Sequence, residues 1–285
     1  MKIIIKILLV ALIVFAILYV RERSSEGMRR VFRVSDGNTI SYGEMIREIG
    51  STSLIFVGEI HTSGADHLLE LDIIKSLHDA KVPIAVGFEM FTVESQGSLD
   101  RWVKGTLPRD TFIRLYYQNW GMPWPLYGDI LMYVRKEGIP AIGLNLPQEI
   151  SRKVRRDGFS SLTGRELDML PPGITCSVDK QYMDFIKRAY QEHERSGGRF
   201  VNFCEAQMLW NKTMAWNLVG YLKKNPDKVV AVITGTGHAW KRAIPEQVKE
   251  LSKETRYKVI LPEIPGYIEP RDITAADADY IVLRD

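Results

Sequence analysis

The sequence predicts an α/β domain: three layers, helix, sheet, helix, around a mostly parallel central sheet, with a helical insertion. Three observations predict it. Short, continuous apolar runs recur along the chain. Longer stretches of helical period separate them, and a strand with no polar side to show water is one covered on both faces by crossover helices. Finally, 285 residues, 45% hydrophobic and 26% charged, suffice for one large core.

In chain order, residues 1–20 read as a membrane anchor or signal segment. Lys2 and Lys6 precede an apolar run from Ile7 to Val20. The bulky Ile17, Leu18 and Tyr19 favour an uncleaved anchor, because a cleavage site wants small residues, and no cysteine stands there to take a lipid. Lys2 and Lys6 on one flank oppose Arg21, Arg23, Arg29, Arg30 and Arg33 on the other, so charge leaves the orientation open. Residues 21–28 form a linker, and residues 29–285 the α/β domain.

The strands are expected at Ser53–Gly58, Pro83–Glu89, Pro140–Asn145 and Lys228–Gly235. Between the first two, Ser63 and Asp66 have capping-box spacing, and Leu69, Ile73 and Leu77 form an apolar stripe. Pro108 and Pro125 suit first helical turns, and Gly138 can end the helix that Pro125 opens. The insertion spans about 151–225: a charged stretch to Cys176 ending in "LPPGITC", a helix from about Asp179 to Glu194, "SGGR", and a long helix. The cluster Arg152–Arg156 reads as a solvated face.

Lysine and arginine number 38 against 35 acids, a formal charge of +3 with no concentrated basic face, so no nucleic-acid partner is expected. Cys176 and Cys204 have no CxxC or Cys/His spacing and encode no zinc knuckle. Pairing and two buried thiols both suit them.

Each predicted strand ends in polar residues: Glu59 and His61, then Glu89, then Asn145, then Thr236 and His238. In a parallel sheet ligands bind outside the carboxyl ends of the strands, so Glu59, His61, Glu89 and His238 are expected to line one concave site. They could divide acid and base roles. Alternatively, His61, Glu89 and His238 could hold a divalent ion such as manganese or zinc, with Glu59 taking a proton from its bound water. "GTGH" lacks the spacing of a phosphate loop, and its glycines serve better to present His238. His67, one turn into its helix, suits the rim or the helix's first turn equally. His78 and His193, late in helices among charged neighbours, read as solvated or helix-C-terminal cations. The aromatic stretch Tyr116–Asp129 is either a rigid loop over the core or a flat wall for a planar ligand. Asn211 interrupts an apolar stripe and, with Gln207 one turn earlier, either ties the core together, the favoured reading, or reaches the site from below.

The motifs "GEIH" (Gly58–His61), "FEMF" (Phe88–Phe91), "WGMPWPLY" (Trp120–Tyr127), "GLNLP" (Gly143–Pro147), "AQMLWNKTMA" (Ala206–Ala215), "GTGH" (Gly235–His238) with Ile244-Pro245, and a late "ADADYIVL" resemble the ChaN family of haem-binding uptake proteins, in the Tiki-like superfamily. The resemblance covers roughly Ser51 to the C-terminus. It implies a membrane-attached, extracytoplasmic domain, periplasmic or on the outer face, serving haem or iron uptake. Haem would lie at an aromatic surface formed with Trp124 and Asn145, with Tyr127 as iron ligand, buried between two copies in a homodimer. The superfamily also holds metal-dependent peptidases and esterase-like hydrolases that use the counterparts of Glu59, His61, Glu89 and His238 in catalysis; a metal-dependent hydrolase is therefore the alternative. Two departures stand out: no lipid-bearing cysteine, and Asn211 where relatives often carry an acid.

Overall fold

A computed structural model gives the structure of the protein and describes residues 29–176, 178–189 and 200–284. The expected anchor and linker, and His193, lie outside the described residues. Eight strands form one sheet: β1 Arg30–Arg33, β2 Asn38–Ser41, β3 Leu54–Glu59, β4 Ile84–Thr92, β5 Ala141–Asn145, β6 Val229–Gly235, β7 Tyr257–Pro262 and β8 Tyr280–Val282. Their order across the sheet is β2-β1-β8-β7-β3-β6-β4-β5. The six from β8 to β5 run parallel, and the hairpin of β1 and β2 adds an antiparallel edge against β8. No helix among the described residues is long and apolar enough to cross a membrane.

The central strands are buried on both sides, and alternation sorts their side chains. Ile55 and Val57 of β3, Val86 and Phe88 of β4, and Ala231 and Ile233 of β6 join one core with Tyr127 and with Leu69 and Ile73 of the Gly64–Asp79 helix. Phe56, Ala85, Val230 and Val232 join the opposite core, with Leu218 of the Phe200–Lys224 helix and Val248 of the Ile244–Leu251 helix. Helices Gln96–Val103, Arg109–Asn119 and Trp124–Glu137 cover the first face. Between β5 and β6 lie helices Gln148–Asp157, Gly164–Leu167, Lys180–Ala189 and Phe200–Lys224.

This packing creates the site's location. β3 and β6 are neighbours, yet the helix after β3 packs on the first face and the helix that follows β6 packs on the second. Chains leaving in opposite directions open a crevice at the carboxyl edge of that strand pair. Ser63 caps the Gly64–Asp79 helix by accepting from the Asp66 N–H, but the Asp66 carboxylate turns away to accept from the Ile60 N–H at 2.9 Å, so the box is not reciprocal. Gly138, at φ 65°, closes the Trp124–Glu137 helix in the left-handed region that favours glycine. Cys176 and Cys204 are free thiols.

Candidate functional site

The crevice is a cavity of about 730 Å³ whose wall includes Glu59, His61, Glu89, Asn145 and His238 together. Four separate strand ends thus share one concavity. The two carboxylates reach it from opposite faces of the sheet, because Glu59 continues the alternation of Ile55 and Val57, while Glu89 continues that of Ala85. Each heads its own network.

On the first face, Glu59 is 2% exposed. Its Oε1 accepts from the Tyr127 hydroxyl at 2.6 Å and meets His61 Nδ1 at 2.8 Å; its Oε2 lies 2.6 Å from His67 Nδ1. Burial opposes its charge, but the two imidazoles win and hold its pKa down to about 2. Burial likewise disfavours a charged His61, yet Glu59 and Glu89 hold its pKa above the usual imidazole range. The His61 ring lies flush on β6: a Cβ added at Gly235 would come within 2.8 Å of Cε1, so only glycine leaves room. Trp120 meets the ring edge-on, with centroids 5.0 Å apart.

On the second face, Glu89 Oε2 accepts from the Thr234 hydroxyl at 2.5 Å and the Gly235 N–H at 2.8 Å. His238 Nε2 faces Glu89 Oε1 at 3.7 Å. Behind the imidazole, Asn211 donates its amide N–H to the Tyr182 hydroxyl at 3.1 Å, which leaves Oδ1 to accept from His238 Nδ1 at 2.7 Å. The ring therefore carries its proton on Nδ1 and turns its basic Nε2 toward Glu89. Burial pushes the His238 pKa down, so this imidazole is neutral.

Other expectations fall differently. Tyr127 is fully buried under the site with its hydroxyl committed to Glu59, so it has no open side to present to iron; its helix turns it inward at the first core. Trp124 packs edge-on against Tyr116 and Phe112 and is not in the cavity wall. Asn145 is in that wall, donating to the Glu89 carbonyl at 2.8 Å. His61, Glu89 and His238 do not bring three donor atoms within 4.8 Å of one another; among the described residues, Glu59, His67 and Glu70 do. His67 reaches the strand end, its Nε2 meeting the His61 carbonyl at 3.2 Å. His78 lies in the last turn of the Gly64–Asp79 helix as expected, half-buried, with Nδ1 3.1 Å from the Tyr133 hydroxyl. Asn211 acts on His238, not on Gln207. Sequence reasoning did not single out Glu70, Thr234 or Tyr182. Of these, Glu70 carries a signal, a carboxylate beside the apolar stripe Leu69–Ile73.

Residues 45–248 match the family described as haem-binding uptake, Tiki superfamily, ChaN. Among solved structures, the chain is similar to ChaN of Campylobacter jejuni, solved with cofacial haem, at 19% identity and a TM-score of 0.70, covering 89% of this chain and 96% of that one. It is also similar to the erythromycin esterase EreC in its open conformation, at 12% identity and a TM-score of 0.50, covering 85% and 78%. At such identities these likenesses show the fold alone. A curated relative, RETICULATA-RELATED 5, chloroplastic, of Arabidopsis thaliana, is 22% identical over 126 residues, 42% of this chain; the chain spans 17% of that protein's length. The match takes in β3, β4, β5 and β6 and every residue of the two carboxylate networks, and on it the chain belongs to the ChaN family of the Tiki superfamily.

Proposed function

We propose that this protein binds haem in the cavity at the carboxyl edge of β3, β6 and β4, with His61 as the iron ligand. The observation that carries the reading is the His61 imidazole. It stands in the cavity wall with its side chain 33% exposed, and its Nδ1 is tethered to Glu59, which leaves Nε2 as the nitrogen to ligate. A carboxylate on the far nitrogen of a ligating histidine fixes the ring and raises its basicity. The rest of the wall fits a flat, mostly apolar group with acidic arms. Trp120, Trp210, Phe203 and Met90 supply apolar surface, and Arg152 and Arg155 supply cationic groups suited to carboxylates. Haem would bring a redox-active iron; the chain's own part is to orient His61, exclude water and pair the acidic arms.

The reading extends to location. The apolar segment 1–20 and the family membership support a membrane-attached, extracytoplasmic protein serving haem or iron uptake, and a flat ligand half-covered by one chain would favour a homodimer. A metal-dependent hydrolase receives less support, since His61, Glu89 and His238 do not gather as a ligand set. The test is titration of the purified chain with haemin. A saturable Soret shift is expected, with a displaced band and weaker binding in His61→Ala and a retained band in Tyr127→Phe. No saturable shift in the wild type would end the haem reading; an unchanged spectrum in His61→Ala would end the ligand assignment.

A further inference from the structure

Beside the cavity lies a second cluster, which shares only Glu59 with the proposed haem site. Glu59 ends β3, and His67 and Glu70 stand three apart on the Gly64–Asp79 helix, so one helical face delivers both toward the strand end. All three are buried, and one donor atom from each lies within 4.8 Å of the others. The contacts assign the imidazole's two nitrogens. His67 Nε2 faces the His61 carbonyl at 3.2 Å, an acceptor only, so Nε2 carries a proton. In the neutral ring Nδ1 is then a lone pair, yet it faces two carboxylates, Glu59 Oε2 at 2.6 Å and Glu70 Oε2 at 3.1 Å. Three electron-rich atoms turned on one another need either a proton or a metal ion between them.

Unsatisfied oxygens say the same. Glu59 Oε2, though 2.6 Å from His67 Nδ1, completes no hydrogen bond, and Glu70 Oε1, on a residue with 0% exposure, has no hydrogen-bond partner. The other oxygen of Glu59 is occupied by Tyr127 and His61, which fixes the carboxylate so that Oε2 looks into the cluster. The neighbouring Asp66 adds no balancing charge, for it is itself an acid and Arg284 answers it at 3.1 Å. Without an ion, burial and the charge of Glu59 push the Glu70 pKa well up, and the two carboxylates, against burial, hold that of His67 up to about 10, so both groups favour their protonated forms.

We propose that Glu59, His67 and Glu70 form an interior binding site for a divalent first-row transition metal ion, through His67 Nδ1 and one oxygen of each carboxylate. The exchange balances. One ion enters, the protons of His67 Nδ1 and Glu70 leave to solvent, and the net charge of the cluster is unchanged. One imidazole and two carboxylates suit manganese(II) or zinc(II), and the His67–carbonyl contact is the outer partner that a metal-bound imidazole takes. Because the residues are buried, the ion would be acquired on folding and released slowly. Through Glu59 it would also set the orientation of His61, so the interior ion supports the cavity without entering it.

The test uses the full chain, purified without added chelator and without a metal-affinity tag. Elemental analysis should find about one manganese or zinc per chain, and stripping with a strong chelator should lower the melting temperature, with Mn²⁺ or Zn²⁺ alone restoring it. Glu70→Gln keeps the shape and removes the charge, and should weaken retention about 10- to 100-fold, whereas Glu89→Gln, on the other network, should leave metal content unchanged. Anomalous scattering from crystals at the manganese or zinc edge should place the ion among the three residues. A wild-type chain with no metal and no response to either ion would overturn the proposal, and so would an anomalous peak beside Glu89 or His238. Should Glu70→Gln fail to fold, the position of the anomalous peak in the wild type decides. The two sites share Glu59, but the Soret band reads haem and elemental analysis reads the ion, so the failure of one reading is distinguishable from that of the other.

Discussion

A buried imidazole paired with an amide behaves unlike one paired with an acid, and His238 shows the consequence. Asn211 accepts from Nδ1 without offering a negative charge, so nothing on that side counters desolvation and the ring stays neutral. Asn211→Asp should raise the His238 pKa, read by NMR titration of its ring carbon. Asn211→Leu should instead strand both His238 Nδ1 and Tyr182, at a cost of about 2 kcal/mol in urea unfolding. Glu59 has the opposite sign. Its folded pKa of about 2 lies below the ordinary 4.5, so its contribution to stability is present above 4.5 and is lost as pH falls through about 2. Glu59→Gln should therefore be less stable than the wild type near neutral pH, and the gap should narrow in urea titrations carried out at about pH 3. A gap that holds constant across that range would mean the carboxylate is not held by its imidazoles.

At the scale of the elements, close backbone approach is what the site's strands share. A Cβ at Gly143 of β5 would fall 2.4 Å from the Thr92 carbonyl oxygen, where β4 shifts register against β5. Backbone cannot step aside as a side chain can, so Gly143→Ala should cost about 3 kcal/mol and is read as a lowered urea midpoint. Gly235→Ala meets only the His61 ring, and should alter the haemin spectrum more than stability. The four strands that carry the site were legible as apolar runs because both their faces are covered. The edge was not: β1 and β2 are four residues each, with a single buried residue apiece, and β8 has only three residues. β7 begins half-buried at Tyr257 and Lys258, which blurs its run. The burial of Glu70 was illegible for a sharper reason. On its helix Leu68 is 54% exposed while Glu70 is fully buried, the reverse of what polarity assigns. Only the approach of Glu59 from another element explains the inversion, and a helical pattern contains no record of that approach.

For the molecule as a whole, the last strand joins parts that the chain makes far apart. β8 sits between β7 and the β1–β2 hairpin, so Tyr280–Val282 supply the only strand through which that hairpin joins the described sheet. Tyr280 also donates to Glu48, which pairs with Arg33, and Arg284 reaches Asp66 beneath the site at 3.1 Å. Three buried residues are little area, but they satisfy the ladders of two neighbours at once. Removing them exposes the edge of β7 and leaves β1 and β2 as a two-stranded ribbon, which is marginal in water even with the Tyr42–Ile49 helix beside it. Deleting residues from Tyr280 onward should therefore release the amides of Val31, Phe32 and Ile40 to fast hydrogen exchange, while those of Phe56 and Val232 in the centre remain protected. The Asp66 carboxylate, deprived of Arg284, should loosen the first turn of the Gly64–Asp79 helix, so His67 becomes the first site residue to feel the loss. Protection of Val31 that survives the deletion would mean that the helices, rather than β8, hold the edge.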